Sequence, residues 1–397
     1  MVLSDVKVLD LTHYIAGPFC TKYLADYGAD VIKIEKTGAG DNARHLGPFP
    51  GDNPHPEKSG LFLFLNTNKR SITLNLKSPS GTDIVKRLAQ NADILVENFR
   101  PGVMAGLGLD YETLSKINPH LVYTSISNFG QNGPYRDYKA TELVSQALGG
   151  VSLTCGVADR EPVRLAGPQS QFHAGLVAAV ATMFAFRMAR KTGAGQLVDV
   201  SIMEAEINIH ELDMMSYPYS GEHHMKRNGS FVGNYPWSIY PCLDGLVAVC
   251  LNNRQWRRIG DWLGMPELSQ NPDYATPAQR LAHMDELEAI LVPWLAQRTT
   301  SEVTTSAQEA RIPVLPVNSI KETLEDRHFQ ARDYFVNIDH PVAGKLKYPG
   351  LPFKIAPAAK HALRPAPTLG QHNQEIYCGE LGYSKEELVY FNQTGVI

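Results

Sequence analysis

The chain has 397 residues, of which 43% are hydrophobic and 20% charged. That balance excludes a disordered tail, a collagen and a small disulfide scaffold, and leaves room for two domains or one elaborated domain. With 37 basic against 41 acidic side chains, the formal charge is −4, so nothing draws the chain as a whole to nucleic acid or anionic lipid, and an anionic ligand needs a local basic cluster. The five cysteines, Cys20, Cys155, Cys242, Cys250 and Cys378, are scattered without CxxC spacing. They imply neither a zinc site nor a disulfide framework, as expected in a reducing compartment. Met1 to Asp10 carries acids and a strand-like pattern where a signal peptide needs a basic region and a long apolar run. The longest apolar stretch, Ala174 to Phe186, is too short to span a bilayer and reads as a buried helix. The expectation is a cytoplasmic protein without membrane or nucleic-acid partners.

In chain order, Val6 to Leu11 reads as a strand, the Gly17-Pro18 turn opens a helix through Leu24, and Asp30 to Glu35 reads as the next strand, a βαβ unit. The alternation continues through strand Ser71 to Leu76, helix Pro79 to Asn91, strand Asp93 to Val96, helix Tyr111 to Ile117 and strand Leu121 to Ile126. It predicts an α/β fold with a largely parallel sheet, whose ligands sit beyond the carboxyl ends of the strands. A long Gly-, Pro-, Asp- and Asn-rich loop, Gly38 to Gly60, interrupts it. Downstream, helix Phe172 to Arg190 ends at Gly193 and Gly195, followed by strand Leu197 to Val200 and helix Ile202 to Met215. After the polar segment Gly221 to Asn234 come a hairpin around Leu243-Asp244 and helices at Arg254 to Leu263 and Ala278 to Ala296. The predicted division is a large domain over 1–224, a smaller α+β domain over 225–320, and 321–397 as linker and return to the large domain. The Pro-rich stretch Leu351 to Pro367 leads there to a helix near Lys385 to Asn392.

Lys36, Lys77 and Lys139 lie at strand ends or in loops where a phosphate-bearing ligand could meet them, although such lysines are commonly just solvated. Lys36 to Asp41 has the small residues of a phosphate-cradling turn but neither a Walker pattern nor a full GxGxxG. Glu97-Asn98-Phe99-Arg100-Pro101-Gly102 sets an amide, a ring and a guanidinium after a strand, which suits a nucleotide-like ligand. His13 follows the first strand at the mouth of the sheet, as a ligand contact or a packing histidine. Glu206 and His210 are four apart on a helix, but no third ligand accompanies them and no metal site is expected. The pair His223-His224 reads as exposed, and no GxSxG elbow or Ser/His/Asp arrangement is visible.

Collinear motifs then make the reading specific. Val8-Leu9-Asp10-Leu11-Thr12-His13, Ala16-Gly17-Pro18, Ala29 to Glu35, Asn68-Lys69-Arg70-Ser71, Glu97 to Gly102, Thr192 to Val200 and Gly370-Gln371-His372-Asn373 follow one another in the order and spacing of the class III coenzyme A transferases, the CaiB/BaiF family. The chain resembles a full-length member. The resemblance implies a Rossmann-like large domain, a smaller domain, and two chains threaded as an interlocked dimer. It also implies CoA, or an acyl-CoA substrate, held near His13, Ala16, Lys36, Leu74, Lys77, Asn98, Phe99 and Lys139, with no covalently bound cofactor. In the family an aspartate attacks the donor acyl-CoA, the mixed anhydride is opened by CoA thiolate to an enzyme-bound thioester, and the acceptor carboxylate reverses the sequence.

Two departures qualify that likeness. Within Gly167 to Gly175 the family's aspartate falls on Gln171, a neutral and poorly nucleophilic carboxamide. It is equally unfit for the acid/base role that related racemases give the aspartate. At Gly106 many members carry an arginine that reaches CoA phosphate. The expected role is therefore a non-catalytic subunit that pairs with a catalytic paralogue as heterodimer or heterotetramer, in the manner of succinyl-CoA:(R)-benzylsuccinate CoA-transferases. The alternatives are a self-sufficient transferase that uses Asp137, Glu142, Asp159 or Glu161, and a CoA-binding or regulatory protein without transfer chemistry. Phe231, Tyr235 and Trp237, in the segment matching the family's mobile glycine loop, are candidates for an aromatic pocket or for the core of the small domain.

Overall fold

The computed structural model describes residues 1–157, 159–209, 211–221, 235–355 and 363–397. They form two compact units. One comprises 1–150, 165–209 and 331–397, and the other 151–164 and 210–330.

The first unit is built on six parallel strands: β1 (Lys7–Asp10), β2 (Asp30–Glu35), β3 (Arg70–Thr73), β4 (Ile94–Glu97), β5 (Val122–Ser127) and β6 (Leu197–Ser201). Their spatial order is β3-β2-β1-β4-β5-β6, all pairs parallel. The order reverses between β1 and β4, which opens a crevice at their carboxyl ends. The strands read as apolar runs because both faces of the sheet are covered. Val8, Val31, Ile94, Val96 and Val122 pack on one face. Leu9, Ile32, Ile34, Leu95 and Tyr123 pack on the other.

The helices between them are α1 (Ala16–Asp26), α2 (Gly60–Leu65), α3 (Pro79–Ala89), α4 (Val103–Gly106), α5 (Tyr111–Ile117) and α6 (Glu142–Leu148). Side-chain caps fix where several begin: Ser78 accepts from Gly81 N–H and Asp110 from Thr113 N–H. After α7 (Val151–Thr154), which belongs to the second unit, come α8 (Gln169–Thr192) and α9 (Ile202–Ile207). Helix α8 turns Ala174, Ala178, Ala179, Ala185 and Ala189 into the core. Leu176, Val180, Phe184 and Met188, spaced by four, stay exposed, Phe184 to 73%. The predicted fully buried helix is thus buried along one face only, because its small residues face inward and its large ones outward.

Residues 363–397 close the second face of the sheet. The Tyr377 hydroxyl donates to the Thr73 carbonyl at 2.7 Å, Asn75 N–H donates to the Val396 carbonyl at 2.8 Å, and Ile376, Tyr377, Val396 and Ile397 complete the apolar cluster. An antiparallel hairpin that the sequence reading missed, β10 (Phe335–His340) with β11 (Gly344–Pro349), also belongs to this unit. The second unit contains antiparallel strands β7 (Trp237–Pro241), β8 (Leu246–Cys250) and β9 (Val314–Pro316) over a core of Val247, Val249, Trp256, Ile259, Leu291 and Leu295.

Two predicted helices are each divided. The segment 202–215 breaks after Ile207, where Asn208 favours a turn. The segment 278–296 is Pro277–Ala282 followed by Met284–Ala296. The shorter piece is fixed by a capping box between Thr276 and Gln279 and by the buried Arg280 guanidinium, which donates to the carbonyls of Tyr235 and Tyr274. The long loop 38–60 holds two short 3-10 turns, at Asn42–His45 and Pro50–Asp52.

Candidate functional site

At the carboxyl end of β1 the chain must leave the sheet beside the switch point, and every polar main-chain group of Thr12 and His13 is met from within. Asp10 accepts from Thr12 N–H at 2.9 Å, and Lys33 Nζ donates to the Thr12 carbonyl at 2.9 Å. Asn98 clamps His13 on both sides, accepting its N–H at 2.8 Å and donating to its carbonyl at 2.7 Å. The next residue, Tyr14, donates its N–H to Asp41 at 2.9 Å. Asp10, Lys33, Asp41 and Lys69 are fully or almost fully buried, paired as Lys69–Asp10 at 2.9 Å and Lys33–Asp41 at 2.8 Å. Burial opposes every one of these charges, but Lys33 holds both Asp10 and Asp41 well below the usual carboxylate range. Burial brings Lys69 down to about 8, against the pull of Asp10. Its Nζ donates to Asp10, Thr21, Asn66 and the Pro18 carbonyl, the surroundings of an ammonium ion. Burial, aided by Lys33, pulls the His13 imidazole below its ordinary value, so the ring is neutral at pH 7.

The remaining sequence-predicted residues fall into three groups. Phe99 joins His13 edge to face, ring centroids 5.3 Å apart, and its N–H is fixed by Glu97 at 2.8 Å. Ala16 opens α1 and is buried. Lys36, Lys77 and Lys139 are exposed, Lys36 directly after β2, Lys77 between β3 and α3, and Lys139 between β5 and α6. Two residues have less to offer a ligand than the sequence reading assigns them. The Leu74 side chain lies in the apolar core and its N–H is spent on the Glu35 carbonyl, so strand continuation takes up its main chain. The Asn98 amide is used on both sides by His13, which makes it a support for the loop. Gly106 ends α4 with nothing within 4 Å of a Cβ placed on it, so an arginine would fit sterically.

Gln171 is the third residue of α8, half-buried, where the Pro168 N-cap supplies no side-chain cap. The start of α8 is tied to the β1 loop by close packing: a Cβ on Gly175, one turn beyond Gln171, would come within 2.5 Å of the Ala16 carbonyl oxygen. A carboxylate does reach this helix end, from another element. Glu142 accepts from Ser170 N–H at 2.9 Å, from Ser170 Oγ at 2.5 Å and from Gln146 Nε2 at 2.6 Å. Both of its oxygens accept hydrogen bonds, and the carboxylate caps the start of α8. Beside it Glu206 is buried with Oε2 unpartnered, and burial, reinforced by Glu142, pushes its carboxyl up to about 7.

Sequence reasoning overlooked Tyr14, Lys33 and Asp41, and weighed Glu206 only as a metal ligand with His210. The lysine and the acid looked like an ordinary strand residue and an ordinary loop residue, because only the sheet register brings Lys33 beside Asp10. His210, His223, His224 and Phe231 lie outside the described residues. Tyr235 is buried in the core of the second unit, and Trp237 is exposed. Among the described residues no group of three His, Cys, Asp or Glu side chains is placed to hold a metal ion.

A six-stranded parallel sheet whose order reverses between β1 and β4 defines the doubly wound α/β class, and the comparisons give the family within it. The sequence profile of CoA-transferase family III matches residues 3–373. The succinyl-CoA–D-citramalate CoA-transferase of Chloroflexus aurantiacus is 34% identical over 100% of this chain and 98% of its own length. The succinyl-CoA:glutarate CoA-transferase of Mus musculus is also 34% identical, over 100% of this chain and 90% of its own. Among solved structures, a CaiB/BaiF family protein from Brucella suis superposes with a TM-score of 0.83 at 29% identity, covering 94% of this chain and 98% of that one. The chain belongs to CoA-transferase family III. Members of that family use CoA thioesters as substrates.

Proposed function

We propose that this chain is the non-catalytic member of a two-chain CoA-transferase that moves CoA from an acyl-CoA donor, of the succinyl-CoA kind, to a carboxylic acid, with benzylsuccinate as the acceptor to test. The observation that carries the reading is Gln171 at the start of α8 beside an otherwise complete β1 loop. Forming the acyl anhydride requires an ionised oxygen at that position, and the carboxamide has none. Glu142, the carboxylate that reaches the neighbouring Ser170, hydrogen-bonds Ser170 and Gln146. Two relatives are named for succinyl-CoA as donor, which supports that choice of donor here. In this reading the large unit holds CoA, with Lys36, Lys77 and Lys139 toward its phosphates and His13 and Phe99 at the crevice.

The exposed stripe of Leu176, Val180, Phe184 and Met188 on α8, with Leu143, Val144 and Leu148 exposed on α6, supports the second chain. An interlocked dimer would cover such a face. The test is CoA transfer from succinyl-CoA to benzylsuccinate, read by mass spectrometry. It uses the isolated chain, the chain co-expressed with a paralogue that has an aspartate at the position of Gln171, and the Gln171→Asp variant. Turnover only in the two-chain sample, with a stable complex, is expected. Turnover by the isolated wild-type chain overturns the proposal.

A further inference from the structure

Among the described residues, Tyr14 is the one aromatic residue with its backbone in the left-handed region, at φ +75°. A bulky L-residue avoids that region, and such outliers persist where the surroundings impose them. Here the imposition is visible. Asn98 fixes the main chain of His13 from both sides, Asp41 takes the Tyr14 N–H, and Lys33 anchors both Asp41 and the Thr12 carbonyl. A glycine would satisfy that backbone without strain, yet the position carries a large ring, 46% exposed. Buried charges thus hold a strained loop, and the loop presents an aromatic face to solvent.

The topology says what that face meets. Lys36 and Lys77 follow β2 and β3 on one side of β1, whereas Gln171 lies on α8, which packs on α1, β5 and β6. Tyr14 follows β1 at the switch point, with Lys36 and Lys77 on one side and Lys139, after β5, and Gln171 on the other. We infer that Tyr14 is a ligand-contacting residue whose ring packs against the pantetheine arm of a bound CoA thioester. The inference rests on the reading that the large unit binds CoA.

The experiment is calorimetric titration of the full chain with CoA and with adenosine 3′,5′-bisphosphate, which lacks the pantetheine arm, using wild type, Tyr14→Gly and Tyr14→Phe. For Tyr14→Gly, CoA binding is expected to weaken about tenfold, adenosine 3′,5′-bisphosphate binding to stay at the wild-type value, and the melting temperature not to fall. Tyr14→Phe keeps the ring and is expected to bind CoA like wild type. Unchanged CoA affinity in Tyr14→Gly overturns the inference and leaves CoA binding standing. An equal loss for both ligands with a lowered melting temperature also overturns it, by reducing Tyr14 to a structural role. A wild-type chain that binds neither ligand removes the CoA reading itself, and the role of Tyr14 with it.

Discussion

The loop after β1 and the start of α8 lie against each other through Ala16 and Gly175 and are built by opposite means. The loop is over-determined, since Asp10, Lys33, Asp41 and Asn98 hold its main chain from beneath. Helix α8 begins without a side-chain cap of its own and borrows one carboxylate from α6. One region is held by buried charges, and the other carries the neutral Gln171 in its first turn. That contrast shows that the loop is held independently of the helix start, because its supports lie in and beside the sheet and do not involve residue 171.

The comparison breaks most sharply at the buried pairs. Replacing Asp10 by Ala leaves Lys69 without its counter-ion in the interior, where burial then favours its neutral form, and a loss of about 3–5 kcal/mol is expected in urea unfolding. A loss below 1 kcal/mol would mean that the network is not what stabilises the loop. Next in size is Asn98→Ala, which removes two hydrogen bonds to His13, worth about 1–3 kcal/mol together. It should weaken CoA binding as well. At the other region, Glu142→Gln removes a charge from the α8 N-terminus and should cost about 1 kcal/mol. It should leave turnover of the two-chain enzyme intact, and abolished turnover would restore Glu142 as a nucleophile.

The smallest expected effect depends on pH. The Glu206 carboxyl titrates near 7 in the folded chain against an ordinary value of 4.5, because burial disfavours its charge and Glu142 adds to that. Folding therefore favours the protonated form. The contribution is fully present below pH 4.5 and is lost as the pH rises through 7. Glu206→Gln should accordingly raise the melting temperature by about 2–4 °C at pH 8 and change it little at pH 4.5. An equal shift at both pH values would show that the gain has nothing to do with ionisation.

Much of the first unit was legible because period and punctuation agree. Asp30–Glu35 and Tyr111–Ile117 have the predicted bounds, and the strand-end loops are where a parallel sheet must present its ligands. The candidate site was legible in part. His13 and Phe99 meet, but Asn98 turns inward, and that choice depends on a main-chain neighbour 85 residues away. Lys33 and Asp41 escaped notice because a buried charge looks like a surface charge until register supplies its partner. The α8 stripe escaped because a run of apolar residues does not say which face a partner takes.

The closing of the sheet by residues 376–397 also bears on the order of assembly during synthesis. Ile72, Leu74 and Ile84 wait for Tyr377 and Val396 while roughly 195 residues beyond β6 are made, about 10–40 s at ribosomal rates of about 5–20 residues per second. Through that interval the part of the apolar face around Ile72 and Leu74 lacks its cover from Tyr377 and Val396. A chaperone or a second nascent chain can reach that surface before residues 376–397 arrive, so these residues act as the latch of the first unit.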